Sequence, residues 1–166
     1  LVRDGRIPRI YEGTNGIQAM DLVGRKLGLK GGRLIGRLFT TIKSFLEDNG
    51  DAPHHAELAS ALQSLEEATG WIATNGMQDP DQAGAAATPY LRLTALTVIA
   101  YLWSRMALLA QRQLAAGEGN AILLEGKLIS AGYYFEKLLP ERSWLLEDIM
   151  GGKGSMMALT DEQWQV

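Results

Sequence analysis

Apolar residues recur at helical spacing along most of the chain, in segments separated by glycine-rich or proline-containing breaks. Between residues 33 and 47 the apolar positions fall on one side and the charged positions on the other, which predicts an amphipathic helix. A second apolar stripe, which begins near Pro53, predicts another helix. Its members are Leu58, Leu62, Leu65 and Ile72.

The stretch from about Pro89 to Ala116 differs, because its apolar residues surround the predicted helix axis instead of lining one side. This pattern predicts a buried helix at the centre of the fold. A further helix stops near Pro140, and a short one follows over Ser143 to Met150, before a glycine-rich tail that we expect to be flexible. The apolar residues of the longer one are Ile122, Leu124, Leu128, Phe135 and Leu138.

These elements predict an all-α fold: an antiparallel four-helix-type bundle over about residues 31–150, preceded by an irregular segment and one helix. The preceding helix has a capping-box pattern, Asn15 followed three residues later by Gln18. Gly28 is placed to end it. The apolar face expected for this helix is Ile17, Met20, Val23 and Leu27.

Composition narrows the possible functions. The 166 residues carry a formal net charge of −3, whereas a nucleic-acid-binding protein normally has a basic surplus. The absence of cysteine excludes disulfides, zinc–thiolate sites and a thiol nucleophile, and is compatible with a cytoplasmic location. We expect no membrane span, since the longest apolar stretch without charge, Leu93 to Ser104, is short. The chain begins at Leu1 without methionine, so we expect it to be part of a longer protein.

Two patterns that suggest a ligand site fail on their spacing. The run from Gly151 to Ser155 lacks the order of glycine, lysine and hydroxyl residue that a phosphate loop requires, so no phosphate site is predicted there. His54 and His55 are the only histidines, and neighbouring residues point to different sides of a helix. With Glu57 beside them they are interpreted as a solvated helix start, and no metal site is predicted.

The segment from Arg6 to Gln18 places a carboxylate, two glycines, a hydroxyl and an amide directly before a predicted helix. Free amides at a helix N-terminus suit an anionic group, and Gly13 and Gly16 allow a flat ligand to approach the backbone. Apolar neighbours would raise the pKa of Glu12 and make it a better base. The residues alone leave a second interpretation open, an Asn-Gly turn before a capped helix.

The run Ile10-Tyr-Glu-Gly-Thr-Asn-Gly-Ile-Gln18 resembles the signature near the end of the catalytic region of acyl-CoA dehydrogenases. The run Asp21-Leu-Val-Gly-Arg-Lys-Leu27 is similar to its continuation in the longer bacterial members. The helical remainder resembles, more loosely, the extra C-terminal domain of those enzymes. The resemblance therefore implies two parts, residues 1–30 from the catalytic region and residues 31–166 as a helical extension.

The resemblance also implies a role for each residue of the motif. Glu12 takes the position of the catalytic base that removes the α-proton of an acyl-CoA, while FAD accepts the β-hydride and a trans-2-enoyl-CoA forms. Gly13 takes a position that borders the substrate. Thr14, Asn15 and Gly16 align with the stretch that contacts FAD, although other members often have Thr-Ser-Gln there.

The domains that make most of the family's flavin contacts are not in this chain, so we expect the isolated chain to be inactive and to bind no FAD. The resemblance further implies an electron-transfer partner and a homo-oligomer. The alternative is a non-catalytic helical module for oligomerisation or interaction, in which Glu12 only starts a helix. For residues 31–166 that description is preferred, because no catalytic pattern is found there.

Overall fold

The computed structural model describes residue 6 and residues 14–164, and helices dominate this part of the chain. No strand occurs within residues 14–164, so the prediction of an all-α fold is confirmed. The α-helices are α1 (Thr14–Asp21), α2 (Arg33–Asp48), α3 (His55–Asn75), α4 (Pro80–Ala116), α5 (Ala121–Tyr133) and α6 (Glu141–Gly151). π-helical turns extend α1 over Leu22–Lys26 and α5 over Tyr134–Leu138, and a short 3-10 helix spans Asp161–Trp164.

Helix α4 lies at the centre of the fold, as predicted, and packs against α1, α3, α5 and α6. Its predicted start at Pro89 is wrong, because the helix begins nine residues earlier at Pro80. The carboxylate of Asp79 caps this start by accepting a hydrogen bond from the Asp81 amide at 3.1 Å. The helix continues through Pro89 because the neighbouring Tyr90 is fully buried, and tertiary packing outweighs the local cost of proline.

The core lies between α3, α4 and α6, with contributions from α1, α2 and the π-turn that follows α5. Helix α3 buries the predicted stripe, although it begins at His55 and not at Pro53. Hydroxyl groups inside the core all find acceptors: Tyr134 donates to the Leu96 carbonyl at 2.7 Å, and Ser104 donates to the Pro53 carbonyl at 3.0 Å. No buried side-chain polar atom of the described residues lacks a partner. These bonds fix the mutual positions of the helices.

Helix α1 buries a different face from the one predicted. Ala19 is fully buried, and Val23 and Leu27 lie against the core as expected. However, Ile17 and Met20 are 68% and 50% exposed. The physical reason is the π-turn after Asp21, which adds one residue to the turn and shifts the register of the residues on either side.

The apolar surface of α4 is not covered all round, contrary to the prediction. Ile99, Leu102, Met106 and Leu109 are exposed along one side of the helix. In α5, Leu124 is buried as predicted, while Ile122 is exposed to 83%. The periodicity identified both helices correctly but did not show which of their sides has a neighbour.

By length and composition, α4 includes an 18-residue stretch apolar enough to cross a membrane. Of that stretch, 44% is buried inside the fold, and one helix of this kind is weak evidence for a membrane span. The central position of α4 in the helical packing explains the buried part of its apolar surface.

Candidate functional site

The structure places three of the five predicted site residues in the first turn of α1. Thr14 is half-buried, whereas Asn15 and Gly16 are exposed. Glu12 and Gly13, predicted as base and substrate contact, lie outside the described residues. The helix begins at Thr14, so the predicted cap at Asn15 is wrong: this residue lies inside the helix.

Among the described residues, the first turn of α1 is only partly covered, since Asn15 and Gly16 are exposed. The first four amides of a helix have no acceptor within the helix, and no acidic residue in this turn offsets their positive charge. A Cβ atom built on Gly16 would meet nothing within 4 Å among the described residues. Glycine at this position is therefore not required by packing inside the described structure.

The position of α1 is fixed from its other side. Ala19 is fully buried against the core, and Asp21 forms an ion pair with Arg25, whose Nε and Nη2 donate at 2.5 and 2.9 Å. Lys26 Nζ lies 2.9 Å from the same carboxylate. Hydrogen bonds from Arg25 and then Lys26 hold the pKa of Asp21 well below its ordinary value, and Asp21 in turn raises the pKa of Arg25. The burial of Ala19 against the core therefore holds α1, and with it the first turn, in place.

The two histidines at the start of α3 contact neighbouring parts of the fold. The His54 ring stacks on Phe135 with 4.2 Å between ring centroids. Nε2 of His55 lies 3.2 Å from the Leu46 carbonyl oxygen, which links the start of α3 to the end of α2. Within residues 14–164 no group of three or more acidic, histidine or cysteine side chains is placed to hold a metal ion.

The glycine-rich run after α6 contacts the start of α4 through Lys153. Lys153 Nζ lies 2.6 Å from Asp79 and 3.2 Å from Asp81, and this pairing raises the lysine's pKa. The Lys153 amide also donates to Gln82 Oε1 at 3.0 Å. The expectation of a flexible tail therefore needs correction at this point, because the first residues after α6 are tied to the start of α4.

Two open grooves lie on the surface, away from the first turn of α1. The larger, about 590 Å³, runs along α2 beside Arg33 and Arg37. Sequence reasoning missed it, although two arginines four residues apart with Gly36 between them are the signal. Hydroxyls of Thr40 and Thr41 in this groove donate to carbonyls of their own helix, at 3.0 and 2.8 Å. The smaller groove, about 490 Å³, follows the outer side of α5.

Comparison with known proteins matches residues 38–160 to a family described as "Acetyl-CoA dehydrogenase C-terminal like". The chain is 34% identical over 146 residues to a 3-methylmercaptopropionyl-CoA dehydrogenase of Ruegeria pomeroyi, covering 85% of this chain and 25% of that protein. It is 31% identical over 152 residues to a butyryl-CoA dehydrogenase of Syntrophomonas wolfei, covering 84% and 24%. A broad-specificity linear acyl-CoA dehydrogenase of Mycobacterium tuberculosis is 28% identical over 151 residues, covering 84% and 25%. The chain thus spans about a quarter of the length of these relatives.

Proposed function

The chain belongs to the acyl-CoA dehydrogenase family, and on that premise we propose that it is the C-terminal part of an FAD-dependent enzyme that oxidises an acyl-CoA. The observation that carries the proposal is the agreement of two separate regions. Residues 38–160 match the family's C-terminal domain, and the motif at residues 10–18 lies N-terminal to them, separated by residues 19–37. The relatives differ in the acyl group that their names give, so the proposal extends only to the class of acyl-CoA thioesters.

In the proposed reaction Glu12 acts as the base. Its carboxylate takes the proton from the carbon next to the thioester carbonyl, and the bond pair becomes the new double bond as a hydride leaves the β-carbon. The products are a trans-2-enoyl-CoA and protonated Glu12. FAD, when bound in the longer protein, would supply the acceptor for the hydride, and an electron-transfer partner would accept the electrons from the enzyme. A carboxylate suits this role when it is shielded from water, because desolvation raises its pKa towards the working pH.

We propose that the first turn of α1 forms one edge of a flavin site. Its amides and the open space at Gly16 allow a flat, anionic cofactor to approach the backbone at Thr14 and Asn15. Cofactor pockets are concave and enclose most of their ligand, whereas Asn15 and Gly16 are exposed on a convex helix end. We therefore propose that most of the flavin site belongs to the rest of the longer protein, and that the chain alone is inactive.

Substitution of Glu12 in the full-length protein tests its role. E12Q keeps the size of the side chain but removes the base, so FAD should stay bound while acyl-CoA no longer bleaches its absorbance. E118Q is a matched control, since Glu118 is an exposed glutamate in the turn after α4. Bleaching by the E12Q protein at the rate of the control would assign the base to another residue.

The isolated chain gives a second test that requires no substrate. We expect the purified 166-residue protein to be colourless and to take up no FAD in equilibrium dialysis. Stoichiometric flavin absorbance in the purified chain would contradict the proposal that the rest of the protein supplies most of the site. This result would not affect the assignment of Glu12, which depends on the first test.

For residues 31–166 the described structure offers no group arranged for catalysis, so we propose that they serve in packing and association. The observation that favours this role is the exposed apolar face of α4. Large apolar areas on a protein surface commonly mark contacts with other chains or domains.

A further inference from the structure

The π-turn that follows α1 allows one carboxylate to bind two cations. Arg25 Nη2 donates to the Asp21 carboxylate at 2.9 Å, and Lys26 Nζ lies 2.9 Å from the same group. In a regular α-helix the fifth residue after Asp21 lies about 140° round the axis, where its side chain cannot reach the carboxylate. The π-turn is closed by the Leu27 amide, which donates to the Leu22 carbonyl at 2.8 Å, and it has more residues per turn. The ion pair with Lys26 therefore depends on the π-turn.

The π-turn after α5 is held in a different way. It is closed by the Leu139 amide, which donates to the Tyr134 carbonyl at 3.0 Å. Tyr134 and Phe135 are only 5 and 4% exposed, so packing in the core holds this turn. Of the five residues in the turn after α1, Val23 alone is buried. We therefore infer that the ion pairs with Asp21 supply the further contacts that favour the π geometry there.

The π-turn determines how α1 is rotated relative to the residues that follow it. Ala19, before the turn, is fully buried, and Leu27, at its end, is 8% exposed. These residues are eight positions apart, so in a regular α-helix their side chains would differ in direction by about 80°. The extra residue in the π-turn brings both towards the core. Without this turn one of them would rotate away from the core, and the first turn of α1 would move with Ala19.

We propose that Asp21 is a positioning residue for the oxidation of the acyl-CoA. By binding Arg25 and Lys26 it maintains the π-turn, and thereby the rotation of α1 that sets the positions of residues 14–16 and of Glu12, two residues before the helix. This inference rests on the proposed function, in which those residues border the substrate and the flavin. Single π-turns within α-helices are frequent at functional sites.

The exposure of this cluster suits a positioning role better than a stabilising one. The side chains of Arg25 and Lys26 are 67 and 45% exposed, and ion pairs at such positions contribute little to stability. Hydrogen bonds from Arg25 and then Lys26 hold the pKa of Asp21 well below its ordinary value, so the carboxylate stays charged at neutral pH. Loss of this charge should therefore change the rotation of α1 and leave the rest of the fold intact.

Steady-state kinetics of the full-length protein tests the role of Asp21. D21N keeps the size of the side chain and removes its charge. We expect kcat for acyl-CoA oxidation to fall at least tenfold in D21N, with KM about unchanged, because a displacement of about 1 Å at a reacting group can cost about a hundredfold in rate. D21E keeps the charge and should recover most of the rate.

E141Q is the matched control, because Glu141 accepts a similar hydrogen bond from Arg92 Nη2, at 2.7 Å, between α6 and α4. This variant should have the kcat of the parent. A D21N protein as fast as the parent, a D21E protein as slow as D21N, or an equal loss in E141Q would overturn the proposal.

Hydrogen exchange of the same full-length variants tests whether Asp21 acts through the π-turn. Peptides that cover residues 14–27 should exchange faster in D21N than in the parent, while those of α4 should not change. Unchanged exchange over residues 14–27 would contradict the proposal even if kcat fell. Failure of the proposed function is recognised separately, since E12Q would then keep the rate of the parent. If only the role of Asp21 is wrong, E12Q is slow and D21N is fast.

Discussion

Tyr134 provides a test of the packing between α4 and the π-turn after α5. Its ring is 5% exposed, and its hydroxyl donates to the Leu96 carbonyl at 2.7 Å. Y134F removes this hydroxyl and leaves the ring. Because a hydrogen bond of this kind contributes about 1 kcal/mol net, the variant should lose about that much free energy of unfolding at neutral pH.

The same substitution should have the opposite effect at high pH. Burial raises the pKa of Tyr134 to about 12, from an ordinary value of 10.0. Between these two values the folded protein keeps the proton and the unfolded chain releases it, so stability falls as the pH rises through this window. Two pKa units correspond to about 2.7 kcal/mol, and Y134F does not incur this loss. The stabilities of parent and variant should therefore become equal near about pH 11, and above that the variant should be more stable.

Urea unfolding from pH 7 to pH 12, followed by circular dichroism, measures both effects. Y133F is the matched control, because the neighbouring tyrosine is 61% exposed and makes no hydrogen bond to the described residues. Burial also raises the pKa of Tyr90, so the parent, Y133F and Y134F share a background alkaline loss, and the difference between variants isolates Tyr134. If the free energies of unfolding of Y134F and the parent differ by the same amount at every pH from 7 to 12, the reasoning is refuted.

Two further substitutions test contacts of α4, one at its start and one near its middle. Gly152 has a positive φ of 62°, and a Cβ at this position would collide with Gln82. G152A should therefore lower the free energy of unfolding by about 1–2 kcal/mol. G151A is the control and should cause no such loss, since a Cβ on Gly151 would meet nothing within 4 Å. Thermal unfolding of the two variants measures the difference. The buried Ser104 hydroxyl donates a hydrogen bond to the Pro53 carbonyl. S104A leaves that carbonyl unpaired, so it should lower the free energy of unfolding by about 1 kcal/mol or more. S130A, which removes an exposed hydroxyl, is its control in urea unfolding; equal losses would contradict the role of Ser104.

Periodicity predicted the helices well where one side of a helix is apolar and the other is charged. This condition holds for α2 and α3, and their apolar faces lie against the core as expected. It fails at α1, where the π-turn at Leu22–Lys26 changes the number of residues per turn and leaves Ile17 and Met20 exposed. Proline was also misleading, because burial of Tyr90 carries α4 through Pro89. These departures from the predicted faces and boundaries depend on packing partners that no local sequence pattern encodes.

The candidate site was predicted from the order of residue types in the motif. The structure describes three of its five residues. The motif placed Thr14, Asn15 and Gly16 at a helix start, and the structure has them in the first turn of α1. The predicted helix start was wrong by two residues, because a capping box at Asn15 predicts a helix from Gly16, whereas α1 begins at Thr14. The roles of Glu12 and Gly13 stay predictions. The exposed apolar side of α4 was not foreseen, because the pattern shows that a helix is apolar all round but not which side lacks a neighbour.

The contacts of Lys153 join the two ends of a long stretch of chain. This residue follows α6, and its ammonium group and amide bind Asp79, Asp81 and Gln82 at the first turn of α4. These polar contacts join residues some seventy positions apart in the chain, in addition to the packing of α6 on α4. Proteolytic removal of the last residues up to Lys153 should therefore leave the start of α4 with fewer contacts and favour its unwinding. The glycine-rich segment after α6 therefore stabilises the start of α4, the central helix of the fold.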